Sequence, residues 1–78
     1  MSFTVVSGGA PLADVCVVVS SVTPGGCPAI HYGTQANGVV RVGTIGATSP
    51  ASIWFLYPNK SMVHIAATGN TTQTITMP

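Results

Sequence analysis

Seven side chains in this 78-residue chain carry the groups on which most protein chemistry draws: Asp14, Arg41, Lys60, His31, His64, Cys16 and Cys27. A hydrolytic triad can be written on paper from a serine, either histidine and Asp14. No serine, however, stands in a Gly-x-Ser-x-Gly elbow, the sharp turn that presents such a nucleophile. Asp14 is the single acidic side chain, so the two-carboxylate mechanism of most glycosidases is excluded within one chain. An Asp14–Lys60 isopeptide would need a further buried acid to move protons, and the chain has no Glu. Zinc asks for three or four converging nitrogen or sulfur ligands. Cys16, Cys27, His31 and His64 are the candidates, with Cys27 and His31 four residues apart. No Cys-x-x-Cys or His-x-x-x-His pair occurs, and the pattern around Cys16 suits packing. The expectation is a non-enzyme with no catalytic residue, no cofactor and no metal.

Cys16 and Cys27 leave two readings open, a disulfide or a pair of free thiols. Joined, they would close a loop of about a dozen residues, worth roughly 2–3 kcal/mol in the chain-entropy account. That would matter in a chain near the lower size limit for folding alone.

Charged residues make up 4% of the chain, where soluble domains usually devote about a quarter to them. Ten Thr and seven Ser stand in their place, among strand-forming Val and Ile. Two cations make no basic footprint, so no nucleic-acid partner is expected. The longest apolar runs, Val15 to Val19 and Ile53 to Tyr57, are far short of the roughly 20 residues of a membrane span. Met1-Ser2-Phe3-Thr4 lacks the basic and apolar segments of a secretory leader. It reads as the start either of an intracellularly made product or of a domain given a new Met. Asn59-Lys60-Ser61 and Asn70-Thr71-Thr72 fit the glycosylation pattern, but both lie where turns favour Asn anyway.

The elements that must position these groups are strands. Gly and Pro interrupt a β-branched sequence every 8–12 residues, the spacing of a small sandwich or barrel. Seven strands are predicted: Ser2–Val6, Ala13–Ser20, Ala29–Thr34, Val39–Thr44, Ala51–Tyr57, Met62–Ala67 and Thr71–Met77. Turn chemistry joins them at Ser7-Gly8-Gly9-Ala10-Pro11, Thr23-Pro24-Gly25-Gly26, Asn37-Gly38, Gly46-Ala47-Thr48-Ser49-Pro50, Pro58-Asn59-Lys60 and Gly69-Asn70. Residues 1–78 form one domain.

Alternation assigns faces. Val15, Val17 and Val19 oppose Cys16 and Val18; Val40 and Val42 point inward, with Val39 and Arg41 outward. Ile53, Phe55 and Tyr57 share one face, and Trp54 and Leu56 the other. Val63, Ile65 and Ala67 alternate with Met62, His64 and Ala66. A half-buried strand should be polar on its second face, and the fifth shows Trp and Leu there. Either something covers that face or it is an apolar contact patch. The candidate assembly contacts are Trp54, Leu56, Val18 and Met62.

Two stretches resemble the carboxypeptidase regulatory-like, or transthyretin-like, sandwich domains. Gly8-Gly9-Ala10-Pro11-Leu12-Ala13-Asp14-Val15-Cys16-Val17-Val18-Val19 is similar to that family's Gly-x-Pro-Leu-x-x-Ala-x-Val-x-Val turn and strand. Thr34-Gln35-Ala36-Asn37-Gly38-Val39-Val40-Arg41-Val42 is similar to its Thr-Asp-x-x-Gly-x-Phe-x-Leu segment. Gln35 departs from the preferred Asp, and Val40 from the usual aromatic. The resemblance implies an all-β, seven-stranded Greek-key β-sandwich of prealbumin-like or Ig-like type, and a non-catalytic module of virions, adhesins or cell surfaces. Joined to the near absence of charge, it leads to the expectation of a structural protein in a larger assembly, a phage virion protein decorating a capsid. Its partners would be its own copies, as a homo-oligomer, or the major capsid protein. An extracellular filament or adhesin module at the cell surface is the first alternative, and a carbohydrate-binding module, requiring Trp54, Tyr32 and Tyr57 on one flat platform, is the second.

Overall fold

The computed structural model of the chain describes residues 1–43 and 49–78. The expected strand end at Thr44 and the Gly46-Ala47-Thr48 part of the expected turn lie outside the described residues. Within them the protein is all β, with eight strands and no helix, and hence none long and apolar enough to cross a membrane. The strands are β1 (Ser2–Ser7), β2 (Ala10–Pro11), β3 (Cys16–Val19), β4 (Tyr32–Gly33), β5 (Val39–Arg41), β6 (Ala51–Leu56), β7 (Val63–Ala67) and β8 (Thr72–Thr76).

They form two four-stranded sheets. In the first, β1 pairs antiparallel with β2 and β5 and parallel with β8. The second is antiparallel throughout, in the order β4-β3-β6-β7. The inward residues of both meet in one core of Phe3, Val5, Val15, Val17, Val40, Val42, Ile53, Phe55, Ala67, Ile75 and Met77. Phe3 and Phe55 join the sheets edge to face, with ring centroids 5.4 Å apart, the geometry aromatic quadrupoles prefer. The faces assigned from alternation hold: Val15, Val17, Val40, Val42, Ile53 and Phe55 are all buried, and Arg41 is exposed.

Several strand ends differ from the sequence reading by a residue or more, the strand expected from Val39 closing at Arg41, and three larger differences have a local cause. Ala10–Pro11, read as part of a turn, pairs back onto β1 in the register Val6↔Pro11 and Ser7↔Ala10. Gly8 and Gly9 both have positive φ, 60° and 82°, as a two-residue hairpin turn matched to strand twist demands. The strand expected from Ala13 begins at Cys16, because Asp14 takes φ 60°. Asp14 and Val15 then both face Thr34 across the ladder, in the manner of a β-bulge. The Asp14 amide donates to the Thr34 carbonyl at 3.0 Å, and the Val15 amide to Thr34 Oγ1 at 2.9 Å. Finally, the strand expected over Ala29–Thr34 is reduced to Tyr32–Gly33, with residues 20–31 in a long loop.

Thr34 is the one buried polar residue among those described. Its hydroxyl accepts from the Val15 amide and donates to the Leu12 carbonyl at 2.7 Å. Both hydroxyl roles are thereby used, which removes the cost of burying it.

Candidate functional site

The second sheet carries the groups singled out in the sequence. Its outer face is built row by row: Cys16 opposite Leu56, Val18 opposite Trp54, and Trp54 opposite His64. Met62 shares the parity of His64 and is exposed. Val18, Trp54, Leu56 and Met62 therefore occupy one face.

That face is partly covered by the chain itself. Val18, Trp54 and Leu56 are half-buried. The Trp54 indole N–H donates to the Ser20 carbonyl at 2.9 Å, so the start of the β3–β4 loop is tied across β3 to β6. The His64 ring stacks on Trp54, with centroids 3.9 Å apart and planes 8° from parallel.

The most exposed apolar side chains among the described residues lie at the β3–β4 loop and the strand ends beside it. Ile30 is 93% exposed and Val22 69%, both in the β3–β4 loop, and Val19 and Tyr32 on the strands flanking it are exposed as well. A depression of about 340 Å³ is lined by Val17, Val18, Val19, Ile30, His31 and Tyr32. Sequence reasoning missed Val22 and Ile30 because it assigned contacts by strand alternation alone. Two β-branched apolar residues inside a Ser-, Gly- and Pro-rich loop were the available signal.

The three charges lie away from this surface or at its margin. Arg41 is on the outer side of the first sheet, opposite Ser2. Lys60 donates from Nζ to the main-chain oxygen of Pro78 at 2.7 Å. Asp14 borders a second depression.

That second depression, about 420 Å³ and open to solvent, is lined by Asp14, the two cysteines, His31 and the Leu56-Tyr57-Pro58 run that ends β6. Cys16 and Cys27 form a disulfide, with Cα atoms 6.1 Å apart, and staple the β3–β4 loop to the outer face of the sheet. Cys16 is buried and Cys27 exposed. A ring nitrogen of His31 and the two sulfurs all lie within 4.8 Å of one another. His64, the fourth candidate ligand, is instead the stacking partner of Trp54.

The aromatic residues make no common platform. Tyr57 packs against the core. Tyr32, opposite Val17, lies on the inward-facing side of the sheet at its edge strand. Trp54 is on the outer side, with one face of its indole taken by His64. Against known proteins, the chain matches no family model and no curated protein.

Proposed function

We propose that this chain is a non-enzymatic structural protein that packs into a larger repetitive assembly, at the surface of a phage capsid, against its own copies or the major capsid protein. The observation that carries this reading is the apolar, uncharged side of the second sheet. There Met62 is exposed beside half-buried Val18, Trp54 and Leu56, and the adjoining β3–β4 loop adds exposed Val22 and Ile30. A free monomer gains nothing from such a surface, whereas a contact gains by removing it from water. With a net charge of +1, little like-charge repulsion opposes dense packing of copies. The capsid setting comes from the resemblance to sandwich modules of virions, and the seven-stranded Greek-key, prealbumin-like or Ig-like assignment belongs to the same proposal. β2 would then be an added hairpin rather than a strand of the common set.

A second reading, an extracellular filament or adhesin module, is favoured by the Cys16–Cys27 disulfide. Disulfides persist in oxidising surroundings and are rare in the cytosol.

The test compares the mass of the purified chain in solution with its presence in a native particle or fibre, for wild type and for Ile30→Asp. Ile30 is almost fully exposed, so the variant should fold. It should stay monomeric and leave the particle, since an unpaired charge is costly to bury at a contact. A wild-type chain that remains monomeric at high concentration and associates with neither particle nor fibre refutes the proposal.

A further inference from the structure

We propose that, when the Cys16–Cys27 disulfide is reduced, the same corner binds one zinc ion through the Cys16 and Cys27 thiolates and the His31 imidazole. Three observations support it.

The first is convergence. Both sulfurs and a His31 ring nitrogen lie within 4.8 Å of one another, although they come from β3 and from two points of the β3–β4 loop. Zn–S bonds of about 2.3 Å in a tetrahedral site place two sulfurs about 3.8 Å apart. The 6.1 Å separation of the two Cα atoms accommodates that by side-chain rotation.

The second is the state of the imidazole. His31 Nδ1 lies 2.8 Å from the Pro28 carbonyl oxygen. A carbonyl only accepts, so this contact favours the tautomer with its proton on Nδ1, which leaves the Nε2 lone pair for a metal. This is the outer hydrogen bond that metal-bound histidines commonly make, fixing tautomer and ring orientation.

The third is room and charge. The three groups open on the 420 Å³ depression, which leaves space for water at the fourth position. Two thiolates cancel the charge of a zinc ion, which suits a chain with almost no other charge. Thiolate and imidazole are both donors that suit zinc, and they disfavour magnesium and calcium, which take oxygen ligands.

The chemistry balances as follows. Two molecules of a small cellular thiol reduce the disulfide, giving two cysteine thiols and the oxidised small-molecule disulfide. Zinc then forms two Zn–S bonds and one Zn–N bond, and each thiol gives up its proton to solvent. The corner is thus a covalent staple under oxidising conditions and a metal staple under reducing ones.

The experiment titrates the full-length chain, reduced and kept anaerobic, with Co(II) and then with Zn(II) in competition. The expected result is one metal per chain, thiolate-to-cobalt charge-transfer bands with tetrahedral ligand-field bands, and two protons released per metal. Removing a cysteine risks the fold, so the decisive variant is His31→Ala at an exposed position. It should lower affinity by about tenfold or more, on the scale of losses at zinc sites, while His64→Ala leaves affinity unchanged. The oxidised protein should show no bands. Absence of the bands in the reduced wild type, or bands and affinity indifferent to His31→Ala, overturns the proposal.

Discussion

Replacing Gly38 with alanine should destabilise this protein more than the same change at Gly9, and the difference measures one close backbone approach. Both glycines have positive φ, 79° at Gly38 and 82° at Gly9. An added Cβ therefore meets similar intrinsic strain at each, about 1–2 kcal/mol. Part of that is offset by the lower entropy of the unfolded alanine chain, about 0.4–1 kcal/mol. The surroundings differ. A Cβ at Gly9 meets nothing within 4 Å, whereas at Gly38 it falls 2.6 Å from the Val5 carbonyl oxygen and 3.2 Å from the Leu12 amide nitrogen. Both obstacles are main-chain atoms, so relief requires moving β1 or the segment after β2. That motion strains the 2.8 Å bond from the Val5 amide to the Gly38 carbonyl and the 2.9 Å bond from the Leu12 amide to the Val5 carbonyl. Losing one such bond with its groups left buried costs about 1–3 kcal/mol. The expectation is about 1 kcal/mol for Gly9→Ala and about 3 kcal/mol for Gly38→Ala. A chain of this size has a total stability of about 4–12 kcal/mol, so the second loss is a large share of it. Urea unfolding followed by circular dichroism reads both, with midpoints lowered by about 1 M and about 3 M at a slope near 1 kcal/mol/M. Equal losses at the two sites would refute the close approach at Gly38.

Thr34→Val keeps the shape but strands the Val15 amide and the Leu12 carbonyl. It should cost about 2–3 kcal/mol in the same assay, and Thr34→Ser much less; similar costs would show that the hydroxyl bonds are not what matters. Reduction without metal should lower stability by about 2–3 kcal/mol, and alkylation of native, non-reduced protein should leave both cysteines unmodified; two modified cysteines in that sample would contradict the staple. Trp54 is the single tryptophan, so its fluorescence reports on the His64 stack directly. His64→Ala should shift that emission, because it uncovers the face of the indole that the imidazole stacks on; an emission spectrum identical to wild type would contradict the stack.

What the sequence by itself determined is local and periodic. Alternation along a strand has a period of two. Val17 and Phe55 against Val18 and Trp54 could therefore be sorted to opposite faces without knowing which strands are neighbours. The paired glycines at Gly8-Gly9 and the Asn37-Gly38 step were legible as turns because only special residues take positive φ without strain. The lack of charge, and the function classes it disfavours, is a property of composition alone. Tertiary structure decided whatever depends on which distant segments meet. The parallel union of β1 with β8 joins residues about seventy positions apart, and no local pattern encodes it. The positive φ of Asp14 is tied to the bonds it and Val15 make with Thr34, so the shortened β3 could not be read from its own residues. The candidate site lies at this same boundary. Cys16, Cys27 and His31 were visible as residue types, but the path of the β3–β4 loop brings them together. That path is fixed by the disulfide and by the Trp54–Ser20 hydrogen bond. The composition around Val22 and Ile30 offered a hint, but their exposure was decided by the fold, because an apolar side chain is buried only where another element covers it.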